Sequence, residues 1–255
     1  MFSIIKSPIV KKQVRKYFRT AYRSANHLKN LFLDSSPKWV VLVYHRIGSE
    51  DVFDPSDMRL SLKTFMRQIT ALARTYPIVS LSEALRHIRE GKDLSPIQLV
   101  LTFDDGYQDN YDIVFPFLYR QGIPATFFLS TNWIDSKNDF ITWKEAKEMK
   151  EKGMEIGSHG LSHHSLTQLS YPEAVSEIRE SKIRLEQNLG GPCHHFAFPF
   201  GSKKDFNDSL IEEVKKANYQ TCLLNIHGYN SLKDSHFCLK RIIMDEYTPV
   251  HYLLG

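Results

Sequence analysis

Two carboxylates, Asp104 and Asp105, stand side by side directly after the run Ile97-Gln98-Leu99-Val100-Leu101-Thr102-Phe103. Adjacent like charges at the end of a buried strand repel. A cation bound by one of them and not the other would resolve this, leaving the neighbour free to take a proton. The same Asp-Asp-Gly106 run also suits a turn with solvated carboxylates, so this fragment alone leaves both readings open. Downstream, Gly157-Ser158-His159-Gly160-Leu161-Ser162-His163 follows another short apolar run. Two imidazoles four residues apart reach one point if the segment turns helically, as zinc ligands often do. His164 would then point away. One Asp and two His form a set of O and N donors that leaves coordination positions open, the arrangement of a catalytic rather than a closed structural site.

These residues need a scaffold that brings distant strand ends together. Apolar runs predict strands over 39–44, 78–81, 98–103, 125–129, 155–158, 195–198 and 220–224, with a weaker one over 239–244. Helical periods cover 62–75, 82–90, 110–121, 142–152, 172–189 and 209–217. Ser61 and Ser82 read as N-caps, Gly91, Gly122, Gly153 and Gly190 as C-terminal stops, and Pro172 as a first-turn proline. Strand-then-helix repetition implies an α/β fold with a mainly parallel sheet, and seven or eight units suggest closure into a barrel. Both chemical fragments fall at C-terminal strand ends, the face on which barrel sites are built.

The segment 1–38 has a different character. Nine Lys and Arg stand there against Asp34 alone, a net of +8, so that 39–255 is net −4 within the total of +4. Over 10–32, apolar residues recur every three or four positions with Lys and Arg mainly between them, which predicts a basic amphipathic helix. Such a helix suits an anionic membrane surface, and packing against the barrel or a second copy is the alternative. The mildly acidic remainder gives nucleic-acid binding no support. Cys193, Cys222 and Cys238 are odd in number and lack C-x-x-C spacing, which suits a reducing compartment. No run approaches the ~20 apolar residues of a membrane span, and residues 1–5 are too short for the apolar core of a signal peptide. The expectation is a cytoplasmic protein, peripheral on the inner face of the membrane.

With Thr102-Phe103-Asp104-Asp105-Gly106, His159-x-x-x-His163, Pro124-Ala125-Thr126-Phe127-Phe128 and Phe196-Ala197-Phe198-Pro199-Phe200-Gly201 in this order, the chain resembles the polysaccharide deacetylases of carbohydrate esterase family 4, the nodulation-type N-deacetylase domain. Tyr44-His45-Arg46 places it with the branch that begins on a Tyr-His strand. The resemblance implies a distorted (β/α)7 barrel over 39–255, preceded by the N-terminal amphipathic helix. It also implies a divalent ion, Zn2+ by its mixed ligands, held by Asp105, His159 and His163, with Asp104 as general base. The expected activity is removal of the N-acetyl group from an N-acetylated amino sugar in a glycan or a lipid-linked glycoconjugate precursor. Alternatives are hydrolysis of another C–N bond, as in a cyclic amide or ureide, and a non-catalytic membrane-docked binding protein.

Three features depart from the family pattern. Gly160 stands where Ser or Thr is usual, and the stretch 196–201 lacks the Arg that opens the family's third motif, a cation for which Arg241 is a candidate, with a surface or structural role as the alternative. The late Leu-x-His motif that provides the general acid is also absent. The resemblance to the Tyr-His branch implies that the first strand's His45 takes that role, with His227 as the runner-up and a core histidine at a strand end as the plain alternative. The backbone of Phe200 and Gly201 is expected near the acetyl group. Trp133, Trp143, Phe198 and Phe200 are candidates for sugar platforms, although most large aromatics serve packing.

Overall fold

The computed structural model describes residues 38–48, 58–92, 97–136, 139–246, 248 and 250. The expected helix over 10–32 lies outside the described residues. Elements follow in chain order as β1 (Lys38–Tyr44), β2 (Ile47–Gly48), β3 (Leu60–Ser61), α1 (Leu62–Thr75), α2 (Leu81–Arg89) and β4 (Gln98–Phe103). A π-helical turn at Asn110–Val114 leads into α3 (Phe115–Arg120), then β5 (Thr126–Leu129), α4 (Trp143–Glu151), β6 (Glu155–Ser158) and α5 (Tyr171–Leu189). The chain continues through β7 (His195–Ala197), α6 (Asp208–Lys216), β8 (Thr221–Leu223), β9 (Asn230–Ser231) and β10 (Ile242–Ile243). No helix among the described residues is long and apolar enough to cross a membrane.

Seven strands pair in parallel in the order β10-β1-β4-β5-β6-β7-β8. The single bridge Leu223–Leu239 brings the chain from β8 toward β10, so the curled sheet is a distorted (β/α)7 barrel. Strand alternation sorts its apolar residues into two clusters. Val40, Leu42, Tyr44, Leu99, Leu101, Phe103, Phe127 and Leu129 pack with the helices. Trp39, Val41, Val100, Phe128, Ala197, Leu223 and Leu239 form the other cluster, from strands all around the barrel, and therefore fill its interior. Leu81, Ala84 and Leu85 of α2 join this interior cluster and plug its lower end.

Two expected strands are corrected. Over 78–81 only Ile78 bridges, to Leu99, and Leu81 already begins α2. The Ser80 side chain accepts from Glu83 N, while Leu81 and Ser82 donate their amides to the Glu155 carboxylate at 3.1 and 3.2 Å. These caps satisfy the orphan donors of the first turn, so the N-cap is Ser80 and not Ser82. Over 239–244 only Ile242 and Ile243 form a strand. The expected helix over 110–121 opens as a π-turn. Ser61, Pro172 and Gly190 hold the capping places expected of them.

The same lower end contains His195, buried, with Ser82 Oγ 3.0 Å from Nε2 and Thr221 Oγ1 2.9 Å from Nδ1. Burial is the largest influence on this ring and lowers its pKa from 6.5, despite the raising effect of Glu155. The native chain thus keeps His195 neutral where the unfolded chain is protonated. Its contribution to stability is complete above pH 6.5 and is lost as pH falls, with a slope of up to about 1.4 kcal/mol per pH unit. Thermal melts between pH 7 and pH 5 should therefore fall less steeply for His195→Asn than for the native protein. Equal slopes would remove His195 as the source.

Candidate active site

The interior parity of the strands aims the site residues. Val41 and Val43 on β1 lead to His45, and Val100 and Thr102 on β4 lead to Asp104. His159 follows Gly157 on β6 in the same way. Strict alternation would turn Asp105 outward, but it takes φ +78, and Gly106 φ +83. That left-handed corner, unusual for a residue with a Cβ, brings both carboxylates to the barrel mouth.

Asp104 and Arg241 are fully buried and pair through two parallel contacts, Nη1 to Oδ1 and Nη2 to Oδ2, each 2.7 Å. Arg241 precedes β10, and Ile242 lies opposite Leu42, well below the end of β1, so the guanidinium approaches Asp104 from beneath. Burial works to raise the Asp104 carboxyl, but Arg241 and then His159 outweigh it and hold it below the usual carboxylate range. Asp105 is held well below that range: burial raises it, and contacts with His159 and His163, then the charges of His45 and His163, prevail.

The Nε2 atoms of His159 and His163 lie 3.4 and 3.1 Å from Asp105 Oδ1. That oxygen is nevertheless buried without a hydrogen-bond partner, because the approach is right in distance and wrong in direction. His159 Nδ1 lies 2.8 Å from the carbonyl of Ala197. Donating its Nδ1 proton there means that, once the ring is neutral, Nε2 presents a lone pair to the carboxylate. Acceptors converging on one point, all within 4.8 Å of one another, need a cation between them. Two carboxylates against one guanidinium draw further positive charge to this point: burial works to lower the His159 pKa, but Asp104 and Asp105 outweigh it and raise it, and a bound ion would take that proton's place. The residues present therefore fit a divalent ion.

The histidines do not meet through a helical turn as expected. The segment after β6 is an irregular turn with φ +78 at Gly160 and φ +58 at His163. His164 is exposed, as expected. Trp133 stacks on the His163 ring at 4.8 Å, and Phe200 meets its edge at 4.7 Å while 54% exposed. Phe198 is core and Trp143 packs against the core. Phe200 and Gly201 have φ +59 and +61, and a Cβ at Gly201 would come within 2.7 Å of Asn225 N. Asn225 holds this corner, donating Nδ2 to Phe200 O at 2.8 Å.

His45 is buried, and its Nδ1 has no hydrogen-bond partner among the described residues. Burial is the largest influence on it and lowers its pKa; Asp105 and then Asp104 pull it up without cancelling that effect. The His45 carbonyl accepts from Asn110 Nδ2 at 2.9 Å, and Asp109 Oδ1 accepts from Ile47 N at 3.1 Å. His227 is half-buried, next to Ile226, whose carbonyl accepts from Arg241 N. Asp109 and Asn110 were missed in the sequence, where they read as ordinary polar residues opening a helix.

A curled barrel carries at its mouth an Asp-His-His cluster that could hold a metal ion, beside a carboxylate clamped by arginine. Residues 91–222 match the polysaccharide deacetylase family model, and the chain belongs to that family. It is a hydrolase acting on N-acetyl amide bonds. Among its relatives is the polysaccharide-deacetylase-type protein YxkH of Bacillus subtilis (strain 168), 28% identical over 206 residues that cover 80% of this chain and 71% of that one. The poly-β-1,6-N-acetyl-D-glucosamine N-deacetylase of Escherichia coli (strain K12) is 27% identical over 71% of this chain, which spans 33% of that longer protein. The structure of the Streptococcus pyogenes deacetylase PplD in complex with acetate superimposes with a TM-score of 0.76 at 25% identity, covering 86% of this chain and 98% of that one.

Proposed function

We propose that this chain is a metal-dependent hydrolase that removes the N-acetyl group from an N-acetylated amino sugar in a glycan, with a divalent ion, Zn2+ by its donors, held by Asp105, His159 and His163. The observation that carries the reading is the convergence of Asp105 Oδ1 and two imidazole Nε2 atoms on one point beside Asp104. Relatives named for acting on poly-β-1,6-N-acetyl-D-glucosamine, and a structural relative solved with acetate, support the substrate class.

When bound, such an ion supplies Lewis acidity, polarising the amide carbonyl and bringing the pKa of a water to about 7. Asp104 accepts the proton of the attacking water. Arg241 occupies one lone pair on each Asp104 oxygen and leaves the others to do this. The clamp lowers the basicity of Asp104 and fixes its direction, trading proton affinity for orientation. His45 protonates the departing amine, and the backbone at Phe200–Gly201 borders the acetyl group. Trp133 and Phe200 flank His163 with ring surface suited to a sugar face.

Acetate release from N-acetylglucosamine oligomers tests the reading. It should stop on chelation and return with Zn2+. No release from soluble, polymeric or lipid-linked N-acetylhexosamines would overturn it. A lipid-linked substrate at the inner membrane face belongs to the same proposal and rests on the basic amphipathic pattern of 10–32. Flotation with anionic liposomes, comparing the full chain with one starting at Ser36, tests that part, and equal binding by both would end it.

For His45 the sign of the pH effect is set by its lowered pKa. An acid works only while protonated, so turnover should fall as pH rises through a value below 6.5. His45→Ala should lower kcat by roughly 10²–10⁴-fold with little change in KM and erase this limb. An unaltered limb would pass the acid role to His227 or to a solvent path.

A further inference from the structure

Two amides of the turn that carries both site histidines are satisfied by one helix. α5 buries Ala174, Glu177, Ile178, Ser181, Leu185 and Leu189, so a carboxylate stands in the middle of an apolar stripe. Glu177 is 7% exposed, and its Oε2 accepts from Leu161 N at 2.7 Å and Ser162 N at 3.0 Å. Its Oε1 accepts from Ser162 Oγ. One helical turn on, Ser181 meets Ser158 Oγ at 2.7 Å, and Ser158 Oγ accepts from Gly160 N at 3.2 Å. The carbonyls of Gly160 and Leu161 are taken by Thr131 N and Asn132 N. A Cβ at Gly160 would stand 3.0 Å from Glu177 Oε2. The carboxylate thus crowds the space a side chain at 160 would need, and the φ of +78 there favours glycine in any case.

We infer that Glu177 is a positioning residue of the site: its carboxylate holds the 160–162 backbone in the left-handed turn that aims His163 at Asp105. The inference rests on the ligand reading given above and extends it to a residue that touches neither ion nor substrate. Without the carboxylate two part-buried amides lose their acceptor, and the turn with φ +78 at Gly160 and φ +58 at His163 is left with the contacts of Gly160 N to Ser158 Oγ and of two carbonyls to Thr131 and Asn132. Loss of such an outer support weakens metal binding by roughly 10–100-fold.

Two measurements on Glu177→Ala and Glu177→Gln test this. In metal-free protein, hydrogen exchange should quicken in the peptide spanning 159–163 of Glu177→Ala and stay unchanged elsewhere. Zn2+ titration against a competing chelator should show the Kd of Glu177→Ala raised roughly 10–100-fold. Glu177→Gln, which keeps one acceptor oxygen, should fall between it and the native protein in both measurements. Native exchange at 159–163 or native Zn2+ affinity in Glu177→Ala overturns the inference. Should that variant fail to fold, native values of both in Glu177→Gln overturn it. If the native protein itself binds no Zn2+, the ligand reading falls while the exchange measurement still decides whether Glu177 holds the turn.

Discussion

Changing His159 or His163 to alanine is expected to abolish divalent-ion binding and acetate release together. Each supplies one of the three donors that, among the described residues, converge on one point. Removing a ligand should exceed the roughly 10–100-fold loss that follows from disturbing an outer support. Acetate release falls with it, since a water whose pKa is no longer lowered toward about 7 is a poor nucleophile at neutral pH. The two variants should differ in stability. His159 is buried and tied to Ala197 O, whereas the His163 side chain is 15% exposed at the mouth. Metal analysis per chain, run beside the acetate assay and thermal melts, checks this. Full metal content in either variant would make the ligand assignment wrong.

Asp104→Asn should separate metal from chemistry. It leaves Asp105 and both histidines in place, so the ion should remain, while the loss of a proton acceptor should lower kcat by roughly 10²–10⁴-fold. The structure adds a consequence absent from the motif. Arg241 would keep its charge at 0% exposure with no counter-ion, and breaking a buried pair from one side costs about 3–5 kcal/mol. Combining Asp104→Asn with Arg241→Met removes the stranded charge and should recover part of that stability without restoring activity. Loss of metal in Asp104→Asn would mean that the two aspartates have been given each other's roles. Equal stability of the single and double variants would deny the buried pair its part.

Legibility followed the range of the interactions involved. Asp104, Asp105, His159 and His163 sit in short runs after apolar strands, where local spacing and strand-end context carry the signal. The strand-then-helix order carried the barrel for the same reason. The 78–81 segment misled because its helix is started by Glu155, a residue from another strand whose carboxylate caps the first turn. Glu177 left one trace, an acid within an apolar helical stripe, which spacing alone assigns no partner.

By itself, the amino-acid sequence determined the alternation that sends His45, Asp104 and His159 to the inside of the barrel, and its motifs already carried Asp105, His159 and His163, the three residues that converge at the mouth. These depend on neighbours one or two residues away. Only the tertiary structure decided that Arg241, 137 residues beyond Asp104, is the buried cation that clamps it. It alone also replaced the expected helical turn between the histidines with a left-handed one pinned by Glu177. Such pairings depend on which strand ends and helix faces the curled sheet brings side by side, and the curl of a sheet is a property of the whole chain.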